Sequence, residues 1–302
     1  MSDQVMTSTR FLNEGTKFEC VCCGQVYFDH TGHCNHCQAP TSISRVVAER
    51  DGKPKFLCVL GASGAGKTVY LGMLLDMLTK GTKGLQGLPN NSFSVSVQQQ
   101  TMNALERRRF PEKTATESDT WKWIHCEVNY RKKKDNFFDI ITPDFAGEAI
   151  SEELENPGQY PAVGHIIRRS QAVLVLVDSI RVRDLGRDED FFALKLLSYL
   201  ESVRKPTGKN AAKRKTDLPV AIVLTKSDAC PEAMQDPAEF ARHNLPGVDQ
   251  YLNRHFNDYQ FFAVSAVGAS VSLVDAHGRT EQIPMHIEPL GIVEPFEWII
   301  KR

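Results

Sequence analysis

No run of apolar residues in this 302-residue sequence approaches the ~20 needed to cross a bilayer, which sets aside a helical membrane span. Net charge is missing too. Lys and Arg number 36 against 37 Asp and Glu, leaving −1, so the whole chain has no electrostatic attraction for nucleic acid or an anionic membrane. The stretch Met1–Arg10 lacks the basic-then-apolar layout of a secretory signal. Cysteine is scarce outside one region, because five of the eight lie between Cys20 and Cys37. That clustering points to a metal rather than disulfides, and so to a reducing compartment, the cytoplasm. What remains, 41% hydrophobic and 24% charged, suits a globular chain with room for one large domain and a small appendage.

The sequence centres on Gly61-Ala62-Ser63-Gly64-Ala65-Gly66-Lys67-Thr68, which reads G-x-x-x-x-G-K-T and follows the apolar run Phe56–Leu60. Glycines there let backbone N–H groups turn inward and cradle phosphate oxygens. Lys67 supplies a cation to the terminal phosphates, and the Thr68 hydroxyl can ligate Mg²⁺. Thr68 to Leu78 has the apolar spacing of a helix, whose N-terminal dipole would face those phosphates. Residues Gly61 to Val69 are therefore the expected nucleotide-binding stretch.

Upstream, Cys20-x₂-Cys23 and Cys34-x₂-Cys37 form two knuckles able to close a tetrahedral zinc site of four thiolates. Cys22 can replace Cys20 or Cys23, and His30, His33 or His36 can replace a thiolate, since zinc accepts either donor. Four protein ligands leave no open position for water, so the metal is expected to be structural. The pattern resembles a zinc ribbon. Lys17 is its sole Lys or Arg between Thr16 and Ser44, which argues against a nucleic-acid footprint and favours protein docking. The expected division is a disordered tail over 1–16, the ribbon over 17–50 and the nucleotide-binding domain over 51–302.

Downstream, Phe110-Pro-Glu-Lys-Thr114-Ala-Thr116 is a polar segment between two elements. Trp121–Tyr130 and Phe137–Ile141 read as two strands of a hairpin, with the basic Arg131–Lys134 as the turn. Thr142-Pro-Asp144-Phe-Ala-Gly147-Glu148 then gives D-x-x-G, with Asp144 at a strand end to hold the Mg²⁺ shell and Gly147 to present an N–H to a γ-phosphate. Gln171–Val177 is a buried-strand run ending in Asp178. Helical spacing over Asp188–Arg204 places Phe191, Phe192, Leu194, Leu196, Leu197 and Leu200 in the core. Lys205–Asp217 reads as a basic loop. Val220–Leu224 leads into Thr225-Lys226-Ser227-Asp228, whose carboxylate can accept two hydrogen bonds from guanine N1–H and the exocyclic amine. Lys226 would lie along the base. Gln260–Val264 leads to Ser265-Ala266, where a backbone N–H can meet guanine O6.

In this order the motifs resemble the translation-factor and Ras-like class of P-loop GTPases over roughly residues 55–302. The resemblance implies an α/β fold with a mostly parallel six-stranded sheet, GTP or GDP with Mg²⁺, and two switch segments. It places Lys67, Gly147 and Glu148 at the reaction centre, Thr68, Thr114 and Asp144 on Mg²⁺ (with Thr116 the alternative to Thr114), and Thr225, Lys226, Asp228, Ser265 and Ala266 at the base. With its ribbon, the chain also looks like the bacterial double-GTPase families linked to conflict and defence gene clusters; some relatives dimerise across the nucleotide face, which implies a homodimer or a heterocomplex with another GTPase of the family as a partner. Thr225 stands where many relatives have Asn. Ser63 stands where Gly is common, and there it would crowd an incoming arginine. Glu148 replaces a frequent Gln and cannot donate to charge developing on phosphate, so hydrolysis is expected to be slow and partner-stimulated. The competing functions are a nucleotide-holding scaffold with little hydrolysis and a P-loop ATPase.

Overall fold

The computed structural model describes residues 17–28, 32–49, 54–114, 121–130, 133–204, 214–274 and 280–302. The expected tail, His30, Thr116, part of the 131–134 turn and most of the 205–217 loop lie outside them.

The chain begins with a small antiparallel pair, β1 (Lys17–Glu19) and β2 (Val26–Phe28), followed by helix α1 (Thr41–Glu49). β3 (Lys55–Gly61) feeds through the glycine-rich turn into α2 (Lys67–Lys80). Then come β4 (Leu85–Pro89), α3 (Ser92–Glu106), β5 (Lys122–Tyr130) and β6 (Lys133–Asp144). The second half runs α4 (Gly147–Glu155), α5 (Pro161–Arg169), β7 (Ala172–Asp178), α6 (Ser179–Leu185), α7 (Arg187–Arg204) and β8 (Val220–Thr225). A 3₁₀ turn (Ser227–Ala229), α8 (Pro231–Gln235), α9 (Pro237–Asn244), α10 (Pro246–His255) and β9 (Tyr259–Ala263) follow, and a hairpin of β10 (Ala269–Val274) and β11 (Thr280–His286) precedes α11 (Val293–Ile300).

One sheet carries the order β4-β5-β6-β3-β7-β8-β9. Every neighbouring pair is parallel except those made by β5, which runs against both β4 and β6. The sheet is thus mostly parallel, with seven strands rather than six. The extra one, β4, sits at the edge.

The central strands are apolar throughout because both faces are covered. In β7, Val173, Val175 and Val177 point to one core with α4, α5, α7 and the ribbon, while Ala172, Leu174 and Leu176 point to the other with α2, α3 and α11. This two-residue alternation anchors helices on both sides and leaves the carboxyl ends of the strands free to build a site.

Two local expectations change. β6 starts at Lys133, which pairs with Tyr130, so the strand and not the turn takes in Lys133 and Lys134. Phe191 is 54% exposed, because the buried stripe of α7 runs through Ala193, Leu196, Leu197 and Leu200 and the helical phase carries 191 outward. Among the described residues no helix is long and apolar enough to cross a membrane.

Candidate nucleotide site

The turn after β3 wraps one pocket at the carboxyl edge of the sheet. Ser63, Gly64, Gly66, Lys67, Thr68 and Val69 line it at one end and Lys226, Asp228 and Ala266 at the other. Gly64 and Gly66 hold φ of +78° and +84°, values that residues with a Cβ seldom adopt, so the turn needs glycine at both. Lys67 opens α2 and is 6% exposed, its Nζ donating to Gly61 O at 2.9 Å and Ala62 O at 3.0 Å. Burial pushes its ammonium down to about 8, opposed by the carboxylates of Asp144 and Glu148.

Beside the glycine-rich turn, Thr68 Oγ1, Thr114 Oγ1 and Asp144 Oδ2 form a triangle of oxygens. Thr68 donates to Asp144 at 2.9 Å, Thr114 donates to it at 3.1 Å, and the two hydroxyls are 2.9 Å apart. Asp144 is buried, its carboxyl pushed up by desolvation, and its Oδ1 has no hydrogen-bond partner. A buried carboxylate with an orphaned oxygen, beside two hydroxyls, is a donor set that suits a hard divalent cation.

Gly147 starts α4 directly against the turn after β3. A Cβ there would lie 2.3 Å from Ser63 N, 2.4 Å from Ser63 Cα and 2.7 Å from Ala62 C. Ser63 Oγ donates to Glu148 Oε1 at 2.6 Å, and Lys113 Nζ lies 3.7 Å from the same oxygen. The Ser63 hydrogen bond is the main cause holding the Glu148 carboxyl below its ordinary range.

At the other end, Thr225 Oγ1 donates to Ala65 O at 3.0 Å and ties the strand after α7 to the glycine-rich turn. Lys226 sits at φ +57° and its Nζ pairs with Asp178 Oδ2. Ser265 Oγ donates to Asp228 Oδ1 at 2.6 Å, holding that carboxylate at the pocket wall. A strand–glycine turn–helix unit, a D-x-x-G turn pressed on it and an oriented Asp at the far end now share one cleft, and a model of the Double-GTPase 2 family matches residues 55–286. The chain belongs to that family.

It is accordingly a GTP-binding P-loop protein of the double-GTPase type. None of the curated proteins matches it in sequence. Among solved structures it is similar to nucleolar GTP-binding protein 1 from Plasmodium falciparum, at 14% identity over 82% of this chain and 85% of that one, TM-score 0.40. The signal recognition particle receptor SRb-GTP/SRX complex from Chaetomium thermophilum gives 14% identity over 72% and 92%, TM-score 0.39. The complex of SsGBP with GDP gives 10% identity over 74% and 50%, TM-score 0.34.

Some residues around the double-GTPase cleft carry no motif. Asp178 ends β7 and accepts from Ile180 N at 3.0 Å and Arg181 N at 3.2 Å, so it caps α6 while holding Lys226. Ser270 and Gln282 of the β10–β11 hairpin, with Phe110, also line the pocket. Asp178 was visible in the sequence as a carboxylate closing an apolar run. The hairpin residues gave no comparable signal.

The second cluster lies outside the matched span. The ligand atoms of Cys20, Cys23, Cys34 and Cys37 lie within 4.8 Å of one another, a cluster of cysteines that could hold a metal ion. Cys20 and Cys37 sulfurs are 3.5 Å apart and those of Cys23 and Cys34 3.6 Å. Four converging thiols, three of them buried, are a donor set that suits zinc. Cys22 is buried next to them but is not one of the four, and neither are His33 and His36. The ribbon shares a buried cluster with α5 and β3, including Ile166 and Phe56, and the His36 and His165 rings meet edge-on at 4.7 Å.

Proposed function

We propose that this protein is a GTP-dependent molecular switch that hydrolyses GTP slowly and docks a protein partner through its zinc ribbon. The division into a tail (1–16), a ribbon (17–50) and a GTPase domain (51–302) belongs to this proposal. Lys67 and the Gly61–Val69 backbone would hold the phosphates, with Thr225, Lys226, Asp228, Ser265 and Ala266 at the base. Thr68, Thr114 and Asp144 would hold Mg²⁺, which when bound neutralises charge on the phosphate oxygens. Zinc would stabilise the ribbon through Cys20, Cys23, Cys34 and Cys37. Exposed Val26 and Phe28 on β2 give that ribbon an apolar face for a partner.

The observation that carries the reading is Glu148 hydrogen-bonded to Ser63 beside Gly147. An ionised carboxylate there accepts a hydrogen bond from water but offers no proton to the γ-phosphate oxygens, so a stabilising donor is missing at the usual place. The same contact favours a second reading, a scaffold that holds nucleotide with little hydrolysis. Single-turnover phosphate release from bound GTP with Mg²⁺ separates the two. A slow but Mg²⁺-dependent rate, raised in Glu148→Gln, supports the switch. No release from either protein would leave the scaffold.

A further inference from the structure

The donor that Glu148 cannot supply has a counterpart at the Ser63 carbonyl. Arg181, in the first turn of α6, directs Nη1 to Ser63 O at 3.3 Å and Nη2 to Glu189 Oε1 at 2.7 Å. Ser63 is therefore gripped from two sides, by Glu148 through its hydroxyl and by Arg181 through its carbonyl, with Gly147 packed on its backbone. The Arg181 side chain is 43% exposed while Glu189 is 5% exposed, so the carboxylate is fixed and the guanidinium is the movable partner. Asp178, which pairs with the base-site Lys226, also accepts from Arg181 N and fixes the point from which the side chain extends.

We infer that Arg181 is this chain's own catalytic arginine, held at the lip of the P-loop by Glu189 and delivered to the γ-phosphoryl group when that ion pair opens. The inference rests on the GTPase reading above. In the reaction, water forms the new bond to the γ-phosphorus. The bridging P–O bond breaks with its electron pair going to the β-phosphate oxygen of GDP, and the water protons pass to inorganic phosphate and solvent. Charge accumulates on the bridging and γ oxygens, where a guanidinium fork a short distance from Ser63 can donate in place of residue 148. A cation already inside the chain also removes the need to pass an outside arginine across the Ser63 side chain. A stimulating partner would then act by parting Arg181 from Glu189.

The competing account is that Arg181 merely braces Ser63, and rate against affinity separates the two. Full-length wild type, Arg181→Ala, Arg181→Lys and Glu189→Gln are compared for GTP and GDP affinity, single-turnover hydrolysis and capture of aluminium fluoride by the GDP-bound protein. The expected result is a rate loss of about 100-fold in Arg181→Ala, the scale of one lost transition-state donor, with affinities essentially unchanged. Aluminium fluoride capture is lost in both arginine variants, since lysine lacks the fork, and Glu189→Gln hydrolyses faster than wild type. A rate in Arg181→Ala matching wild type, or a rate loss mirrored by equal losses of GTP and GDP affinity, overturns the inference. Absence of hydrolysis in wild type itself, with GTP bound, overturns the GTPase reading and this inference with it.

Discussion

Replacing Gly147 by alanine adds one methyl where the start of α4 packs directly on the P-loop. The new Cβ would meet Ser63 N at 2.3 Å, Ser63 Cα at 2.4 Å and Ala62 C at 2.7 Å. All three are backbone atoms, so no rotamer change relieves the clash, and the P-loop or the start of α4 must shift. Gly147 is not among the positive-φ glycines, so alanine brings no dihedral strain and the effect is steric. Overpacking of this kind costs about 1–3 kcal/mol, which is about 5- to 150-fold in a binding constant. That cost falls on whichever form needs α4 closed on Ser63. If Gly147 N–H senses the γ-phosphate, GTP requires closure and GDP does not. Titration of both nucleotides against wild type and Gly147→Ala should then show GTP weakened by that factor and GDP nearly unchanged. Equal weakening of GTP and GDP, or an unchanged ratio of the two affinities, would refute the reasoning.

Three further outcomes follow from the same geometry. Lys67 lies at about 8 in the free protein, and bound polyphosphate raises it, so binding above that pH must take up a proton. GTP affinity should be flat below about pH 7 and fall toward about tenfold per pH unit above 8, a slope that a titration of Lys67→Met lacks. Asp144→Asn removes the buried charge between the two threonine hydroxyls, so the Mg²⁺ concentration needed for tight GTP binding should rise strongly while Mg²⁺-free binding changes little. For the ribbon, metal analysis should find one zinc per chain. Chelation or Cys34→Ser should lower the thermal midpoint, because the knuckles share buried contacts with α5 and β3.

The elements that build the cleft were readable because physics writes them plainly in sequence. β3, β7 and β8 are buried on both faces and so appear as unbroken apolar runs, and the glycine turn is demanded by positive φ at Gly64 and Gly66. β4 was hidden. Its inward positions are Leu85 and Gly87, and its outward Leu88 is 59% exposed, so the alternation is inverted by a glycine inside and a leucine outside. Gly87 is there because a Cβ would lie 2.8 Å from Leu78 Cβ, a packing fact invisible from local pattern. The β10–β11 hairpin was hidden for another reason: Ala269-Ser270-Val271-Ser272-Leu273 does alternate, but its apolar positions Val271 and Leu273 are exposed, so the pattern marks no core face. Phe191 shows the reverse error, an aromatic inside a helical run that the exact phase turns to solvent. The bracing of Ser63 by Arg181 joins residues 118 positions apart and carries no motif at all.

The most direct test of the account is nucleotide choice: titration of GTP, GDP and ATP, with Mg²⁺, against wild type and Asp228→Ala. Asp228 is oriented at the pocket wall by Ser265, so wild type should prefer guanine nucleotides over ATP and the variant should lose that preference. Equal binding of ATP and GTP by wild type, or selectivity that survives the substitution, would contradict the placement of the base and with it the switch built on it.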